Sequence, residues 1–193
     1  MELAEALRRR HMVRRHTGEP VDPDALDRIV EAGLSAPTAG NARGVAVVRI
    51  TGRSGIEAVA GIAGEPDYVA RGFRPWISTA GAVVVLAADE GAYHDRYERA
   101  DKDPSVLDVV PWWWFDAGAA LMGMLLQAVA EDLGAGFLGA QSLPGLDDHL
   151  GIPPSVHVAG IVTLGPPTDS RHARSLDLPG PGPRDHEGTW ASS

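Results

Sequence analysis

The start of the chain carries a dense cluster of basic side chains. Residues 8–16 read Arg-Arg-Arg-His-Met-Val-Arg-Arg-His, which places five arginines and two histidines within nine positions. The planar guanidinium group of arginine matches the oxygens of a phosphate, and each charge-assisted hydrogen bond contributes about 1.5–3 kcal/mol. A solvated basic surface and a nucleic-acid-binding arm are the alternatives for such a run. The sharpest hypothesis for the cluster is a phosphate site.

Any phosphate binding in this protein must rest on arginine and backbone amides. Of the 17 basic residues 16 are arginine, and the single lysine, Lys102, follows no glycine-rich loop. This argues against a P-loop lysine and against a Schiff-base lysine. The chain also has no cysteine, no Gly-x-Ser-x-Gly elbow and no His-Glu-x-x-His pair, and His149 and His157 lack metal-ligand spacing. Thiolate nucleophiles, iron–sulfur clusters and metal centres are therefore not expected.

A loop of small residues forms the second candidate contact. Residues 36–41 read Ala-Pro-Thr-Ala-Gly-Asn and connect a predicted helix to a predicted strand. Such residues are common in ordinary helix-to-strand connections. Small side chains also let a planar ligand approach the backbone, and the amide of Asn41 both donates and accepts hydrogen bonds. The loop is therefore either a plain connection or one wall of a ligand site.

Taken in order, these segments resemble the FMN-dependent nitroreductase family. Its members open with an Arg-Arg-Ser-x-Arg segment, followed by a short amphipathic helix and a Pro-Ser-x-x-Asn loop. The resemblance covers about residues 7–175, and it rests on the order of the motifs rather than on any one of them. The matching segments are residues 10–15, 19–21, 36–41, 116–120, 133–136, 150–153 and 164–167, followed by two late arginines.

The resemblance implies an FMN site at the interface of a homodimer. In the family, the first arginine segment and a late arginine hold the phosphate, and the last basic residue of the opening motif lies near flavin N1 and the C2 carbonyl. The proline-to-asparagine loop reaches the flavin from the partner subunit. The cofactor-binding residues carried over are Arg10, His11, Met12, Arg14, Pro37, Thr38, Asn41, Leu138, Gly139, Arg171 and Arg174. No catalytic side chain and no metal are expected, because flavin N5 carries the chemistry.

Departures from the family pattern bear on the ligand cleft. Met12 replaces the usual serine, which removes a hydroxyl contact to the cofactor, and residues 42–44 read Ala-Arg-Gly instead of Gln-Pro-Trp. Arg71 and Arg74 are candidates for a basic contact that the family places between its first two strands. The substrate-lining candidates are Arg43, Tyr93, His94, Trp113 and Trp114, with helix and dimer packing as the alternative for the tryptophans.

The implied activity is the transfer of two electrons from NADH or NADPH to nitroaromatic, quinone or similar electron-poor acceptors. Donor and acceptor would use one cleft in turn, a ping-pong scheme that needs an open flavin face rather than an acid–base pair. The chain has no Gly-x-Gly-x-x-Gly motif, as expected for a family that stacks nicotinamide on flavin. The alternatives are a flavin-dependent dehydrogenase of a peptide- or azoline-type product, a non-catalytic FMN-storage protein, and a nucleic-acid binder without flavin.

Composition and charge are those of an ordinary globular protein. The chain has 193 residues, of which 44% are hydrophobic and 22% charged, and its formal net charge of −9 disfavours a general nucleic-acid surface. The N-terminus lacks the apolar stretch of a secretion signal. Residues 117–130 form a shorter apolar run than the ~20 residues of a membrane-spanning helix. We therefore expect a cytoplasmic protein with no membrane partner.

Hydrophobic periodicity predicts the elements that must position these residues. Helices are expected over residues 1–11, 23–35, 54–62, 93–99, 111–133 and 144–150, and strands over 45–50, 80–88, 137–140 and 156–164. The helix over 111–133 is apolar nearly all round, which predicts a central position and a partner for its second side.

The expected fold class is α+β, with a central, mostly antiparallel sheet flanked by helices, as the resemblance implies. Residues 1–193 are expected to form a single nitroreductase-like domain that is an obligate homodimer. Residues 176–193 are rich in proline and glycine, which predicts a C-terminal arm.

Overall fold

Four antiparallel strands form the sheet at the centre of the protein. In the computed structural model, which describes residues 1–168, the strands are β1 (Val45–Ile50), β2 (Ala82–Asp89), β3 (Gly134–Gly139) and β4 (Val156–Gly165). Their order across the sheet is β1-β2-β4-β3, so β1 and β3 are the outer strands. Each neighbouring pair is antiparallel. The expected α+β fold with an antiparallel sheet is confirmed.

Helices cover both faces of the sheet and bury two apolar clusters. Val84 and Leu86 of β2 pack into the cluster that contains the second and seventh helices, whereas Val83 and Val85 pack into the cluster that contains the third. This alternation follows from the two-residue repeat of a strand. The helices are α1 (Leu3–Arg9), α2 (Pro23–Leu34), α3 (Arg53–Ile62), α4 (Glu65–Ala70), α5 (Glu90–Tyr97), α6 (Val106–Val109), α7 (Trp112–Ala130) and α8 (Leu146–Leu150).

Some elements differ from the sequence-based expectation. The sequence does not predict α4 or α6, because helices of six and four residues show too little periodicity. β3 already begins at Gly134, where glycine indicates a turn, because pairing with β4 outweighs the weak strand propensity of glycine. The predicted arm, residues 176–193, lies outside the described residues.

The start of α2 lies where the sequence predicts it. The Asp22 carboxylate accepts a hydrogen bond from the Ala25 amide at 3.0 Å, and Pro23 takes the first helical position. Ile29 and Val30 are buried in the first apolar cluster. Because α2 is anchored in this way, the loop that follows it leaves from a fixed point.

α7 is the central helix and packs closely on α2. A Cβ atom at Gly123 would lie 2.6 Å from the Ala32 carbonyl oxygen, and one at Gly33 would meet the Met124 side chain. Among the described residues, α7 is the one helix long and apolar enough to cross a membrane, with a mean hydropathy of 1.2. Its buried side packs on α2 and β2, as the core position predicted for it requires.

The other side of α7 is apolar and open to solvent in the single chain. Phe115 is 71% exposed and Met122 is 41% exposed, and the exposed Gly118 and Ala119 lie between them. These four positions follow the i, i+3, i+4, i+7 spacing of one helix side, and we call them the α7 face. An apolar surface of this kind indicates a contact with another protein chain.

Candidate functional site

The arginine segment, Arg10–Arg14, lies along the outer edge of β3. Its residue Met12 forms a parallel bridge with Ala135, and the Val13 amide donates a hydrogen bond to the Ala135 carbonyl at 2.8 Å. The Met12 side chain packs against the first apolar cluster. The segment is therefore held by backbone pairing rather than by its basic side chains.

The basic groups of this segment differ in their partners. Arg9, just before it, is paired with Asp132 at 2.7 Å. The half-buried Arg10, in contrast, has no ion pair or side-chain hydrogen bond with residues 1–168, and His11 contacts the Arg9 carbonyl at 2.9 Å. A guanidinium group that is half-buried without an acidic partner favours an anionic ligand.

Arg14 is exposed and lies over an indole ring. Its guanidinium carbon is 5.6 Å from the centre of the Trp76 ring, within the range of a cation–π contact. The sequence analysis did not single out Trp76. In this part of the chain it named Arg71 and Arg74, as candidates for a basic contact between the first two strands. Arg71 lies over the stacked rings of Tyr68 and Phe73.

The position of Trp76 is fixed by a buried carboxylate. Glu65 is 5% exposed, and its side chain accepts hydrogen bonds from the amides of Trp76 at 2.6 Å, Ile77 at 2.6 Å and Ser78 at 3.1 Å. Carboxylates bound by several backbone amides are strongly held. The sequence offered no sign of this role, because the three amide partners carry no side-chain pattern.

The glycines of β3 allow close packing beside the arginine segment. A Cβ atom at Gly136 would lie 2.5 Å from the Val13 carbonyl oxygen and 3.0 Å from the Trp76 ring. Leu138 packs into the second apolar cluster, and Gly139 pairs with Gly160 of β4. The glycine at position 136 therefore lets the arginine segment and the Trp76 ring pack closely against this strand.

The end of the described chain returns to the same place. His16 forms an antiparallel bridge with Pro167, and the Thr168 amide donates a hydrogen bond to the Arg15 carbonyl at 3.1 Å. Burial lowers the pKa of His16, whose ring contacts the Thr163 hydroxyl at 3.2 Å. The two late arginines predicted to bind the cofactor, Arg171 and Arg174, lie outside the described residues.

The second predicted contact, here called the left-handed loop, is Thr38–Arg43. Gly40, Asn41 and Arg43 have φ values of 61°, 59° and 56°, a conformation that residues with a Cβ atom rarely adopt. The Thr38 hydroxyl accepts a hydrogen bond from the Arg43 amide at 3.0 Å, and the Arg43 side chain donates one to Asn41 at 3.2 Å. Pro37, before the loop, is exposed. Strained loops of this kind concentrate at functional sites.

Within one chain, the arginine segment and the left-handed loop lie at opposite edges of the sheet. The segment borders β3, whereas the loop leads directly into β1. With the order β1-β2-β4-β3, four inter-strand steps of about 4.8 Å separate them, or roughly 19 Å. One chain therefore does not bring the two predicted halves of the site together.

The four aromatic candidates divide into two groups. Tyr93 is fully buried, with its hydroxyl bound to Asp116 at 2.6 Å, and Trp113 is 8% exposed and packs on the Tyr93 ring at 6.0 Å. This chain encloses both side chains, which disagrees with the expectation that they line an open cleft. Trp114 is 43% exposed and His94 is also exposed, so their predicted role stays a prediction.

A cleft of about 410 Å³ lies beside Trp114, beyond the end of β3. It is also lined by His157, whose Nε2 atom donates a hydrogen bond to the Glu90 carboxylate at 2.6 Å. His94 lies on the other oxygen of Glu90 at 3.3 Å. The hydrogen bond with His157 holds the pKa of Glu90 below its usual value. Sequence reasoning did not predict this carboxylate–imidazole group.

A protein-family comparison matches the model described as the nitroreductase family to residues 7–166. Among curated proteins, the FMN reductase [NAD(P)H] of Bacillus subtilis is 28% identical over 92% of this chain and 70% of its own length.

Solved structures share the same fold. The hypothetical oxidoreductase YcnD of Bacillus subtilis superposes with a TM-score of 0.77 at 25% identity, covering 100% of this chain and 76% of its own. The NADPH:FMN oxidoreductase of Vibrio harveyi, solved with NAD⁺, gives a TM-score of 0.72 at 22% identity, covering 98% of this chain and 78% of its own. At that identity the second likeness supports the fold alone.

Proposed function

The chain belongs to the nitroreductase family, and from this premise we propose that it passes two electrons from NADH or NADPH to nitroaromatic, quinone or similar electron-poor acceptors. It is an FMN-dependent NAD(P)H oxidoreductase, as its family and its similarity to an FMN reductase [NAD(P)H] support. We also propose that it works in the cytoplasm as a homodimer. The observation that carries the site assignment is the half-buried guanidinium group of Arg10, which lies beside β3 and has no ion pair with residues 1–168.

The described residues fit FMN on their chemistry. Arg10 and Arg14 supply positive charge that no described carboxylate neutralises, which suits a phosphate dianion and a reduced, anionic ring. Gly136 lets the arginine segment and Trp76 pack closely on β3, which fixes where these charges lie. When bound, FMN supplies the two-electron chemistry between donor and acceptor. The side chains of this protein bind and orient it.

We assign a separate task to each part of the site. Arg10, with His11 and the late arginines Arg171 and Arg174, would hold the phosphate. Arg14, steadied by the Trp76 ring, would place its charge near the flavin N1 side. The backbone of Leu138 and Gly139 would border the ring. Donor and acceptor would enter the remaining open side in turn, which is the ping-pong order.

A homodimer would complete the site. The left-handed loop lies roughly 19 Å across the sheet from the arginine segment, so a second copy must bring its own loop to that segment. The α7 face offers the apolar surface for such pairing, since Phe115 and Met122 are exposed in the single chain. Two copies related by a twofold axis would then form two identical sites.

The purified protein tests this proposal directly. We expect it to retain or take up FMN, with the visible absorption of bound flavin. NADH or NADPH should bleach that absorption, and a nitroarene or a quinone should restore it. Protein that takes up no FMN would contradict the proposal, and bound flavin that no nicotinamide donor bleaches would favour a storage role instead.

Arg10→Ala tests the assignment of the phosphate contact. Loss of a charge-assisted hydrogen bond of about 1.5–3 kcal/mol should raise the dissociation constant for FMN by about tenfold to a hundredfold. Arg8→Ala, on the exposed side of α1, is the matched control and should leave FMN affinity unchanged. Equal affinities of the Arg10→Ala variant and the wild-type protein, measured by quenching of flavin fluorescence, would remove Arg10 from the site.

A further inference from the structure

Asp116, on the first turns of α7, is a buried carboxylate that binds the left-handed loop. It is 6% exposed, and its Oδ2 atom accepts hydrogen bonds from the Ala39 amide at 2.8 Å and from the Tyr93 hydroxyl at 2.6 Å. Burial and the neighbouring carboxylate raise the pKa of Tyr93, which therefore keeps its proton and its role as donor. One oxygen atom thus joins the loop to α5 and α7.

A second anchor holds the loop from α5. The Arg96 side chain donates a hydrogen bond to the Gly40 carbonyl at 2.7 Å, and its remaining nitrogens bind Asp101 at 2.9 and 2.8 Å. The Tyr97 ring packs so closely on Gly40 that a Cβ atom there would lie 2.9 Å from it. The loop is therefore fixed on two sides before any ligand arrives.

These anchors explain how the loop keeps an unfavourable shape. The backbones of Gly40, Asn41 and Arg43 all lie in the left-handed region, which only glycine adopts without steric cost. A backbone of this kind persists only when its surroundings hold it. Asp116 supplies the connection that comes from the body of the protein rather than from the exposed surface.

We propose that Asp116 is a positioning residue that holds the left-handed loop ready to contact the FMN bound by the partner subunit. This inference rests on the proposed function, because it takes the loop to be part of the flavin site. A loop already in its binding conformation loses little entropy when the ligand binds. When a loop is competent in only a fraction of the molecules, the apparent dissociation constant rises by the inverse of that fraction.

The chemistry of Oδ2 allows a sharp test. Both hydrogen bonds end on the same oxygen, so the amide oxygen of asparagine can replace it, whereas leucine cannot. Asp116→Leu should raise the FMN dissociation constant at least about tenfold, and Asp116→Asn should stay within about threefold of wild type. Hydrogen exchange of the peptide spanning residues 36–44, measured without FMN, should quicken in the leucine variant and not in the asparagine variant.

Two further variants keep the result interpretable. Arg96→Ala removes the other anchor of the loop, on its partly exposed side. Like Asp116→Leu, it should raise the dissociation constant for FMN, and it provides this test even if the leucine variant fails to fold. Val59→Ala, buried in the cluster on the opposite face of the sheet, should lower the melting temperature without changing FMN affinity.

The outcomes separate the two proposals. A wild-type protein that binds no FMN overturns the proposed function and, with it, this inference. Wild-type binding together with unchanged affinity in the Asp116→Leu and Arg96→Ala variants overturns the inference alone. So does a fall in affinity for Val59→Ala that matches the fall for Asp116→Leu, because general destabilisation would then account for both.

Discussion

Among single residues, Glu65 shows how a buried charge can organise a site without touching it. Its carboxylate is surrounded by three backbone amides at residues 76–78, and the indole of Trp76 in turn lies under the guanidinium group of Arg14. Within residues 1–168, this carboxylate has backbone amides as its partners and no basic side chain. The position of Arg14 therefore depends on a residue that no ligand would contact.

Glu65→Ala should destabilise the protein strongly, because three amide groups lose their acceptor in a buried region. With a cost of about 1–3 kcal/mol for an unsatisfied buried donor, we expect the free energy of unfolding to fall by about 3 kcal/mol or more. Urea unfolding measures this loss. Glu57→Ala, on the exposed side of α3, is the control and should change stability by less than about 0.5 kcal/mol. A loss of similar size in both variants would contradict the role of Glu65.

His16 should make stability depend on pH in a defined range. Burial lowers its pKa in the folded protein below the ordinary 6.5, so between these two values the unfolded chain binds more protons. The free energy of unfolding should therefore fall as the pH drops below about 6.5, by at most about 1.4 kcal/mol per pH unit.

Unfolding in urea at pH 7.5 and pH 5.5 measures this dependence, which His16→Gln should weaken. The carboxylates with lowered pKa values, such as Glu90 and Glu131, lose their contribution only below their ordinary 4.5 and do not overlap with this range. An unchanged pH dependence in the glutamine variant would assign the effect to another group.

At the scale of elements, the crossing of α2 and α7 is set by glycine. The two helices approach so closely that a Cβ atom at Gly123 would lie 2.6 Å from the Ala32 carbonyl oxygen, a contact with rigid backbone. The same crossing positions the left-handed loop and its anchor, since α2 leads into the loop and α7 carries Asp116.

Gly123→Ala should force the two helices apart and lower the free energy of unfolding by about 1–3 kcal/mol. Gly61→Ala, in the exposed part of α3 with no atom near the added methyl group, provides the matched comparison. It should raise stability by up to about 1 kcal/mol, because alanine favours a helix more than glycine does. Thermal unfolding of the two variants should shift in opposite directions, and parallel shifts would argue against the steric explanation.

The elements were predictable where side-chain periodicity is strong. Three patterns predict their elements directly. They are the apolar stripe of α2, its Asp22 cap, and the β-branched runs of β1, β2 and β4. The first residues of β3 do not predict theirs, because Gly134 and Gly136 carry no such pattern and adopt a strand only through pairing with β4.

The site was predictable in part, and the limit has a physical origin. The arginine segment and the left-handed loop were found from residue types that bind anions or form turns. The roles of Glu65 and Asp116 were not, because they bind backbone amides that lie 11 to 77 positions away in the sequence. Only the folded backbone brings those amides to the carboxylates.

At the scale of the whole molecule, two features point to a homodimer. One is the apolar α7 face, and the other is the separation of the two proposed half-sites, which are the arginine segment and the left-handed loop. The face is apolar and exposed, and each chain carries one proposed half-site of each kind at opposite edges of its sheet. A monomer would leave both half-sites incomplete. FMN binding and dimer formation should therefore be linked, so that loss of one weakens the other.

Met122→Glu should disrupt the dimer by placing a charge on the α7 face. We expect light scattering after size exclusion to report the mass of one 20.3 kDa chain, together with a loss of bound flavin. Val69→Glu, which replaces an exposed apolar residue on α4, is the control and should leave both unchanged. A dimer that survives the Met122→Glu substitution would move the contact to another surface.

The distance between the half-sites also predicts complementation between two defective proteins. Arg10→Ala damages the arginine segment, and Asp116→Leu damages the loop. A dimer of either variant alone therefore has a defect in both of its sites. In a mixed pair, one site receives both damaged parts, while the other receives the sound segment of one chain and the sound loop of the other. Coexpression of the two variants should therefore restore up to half of the flavin capacity in each hybrid, a recovery that neither parent can show.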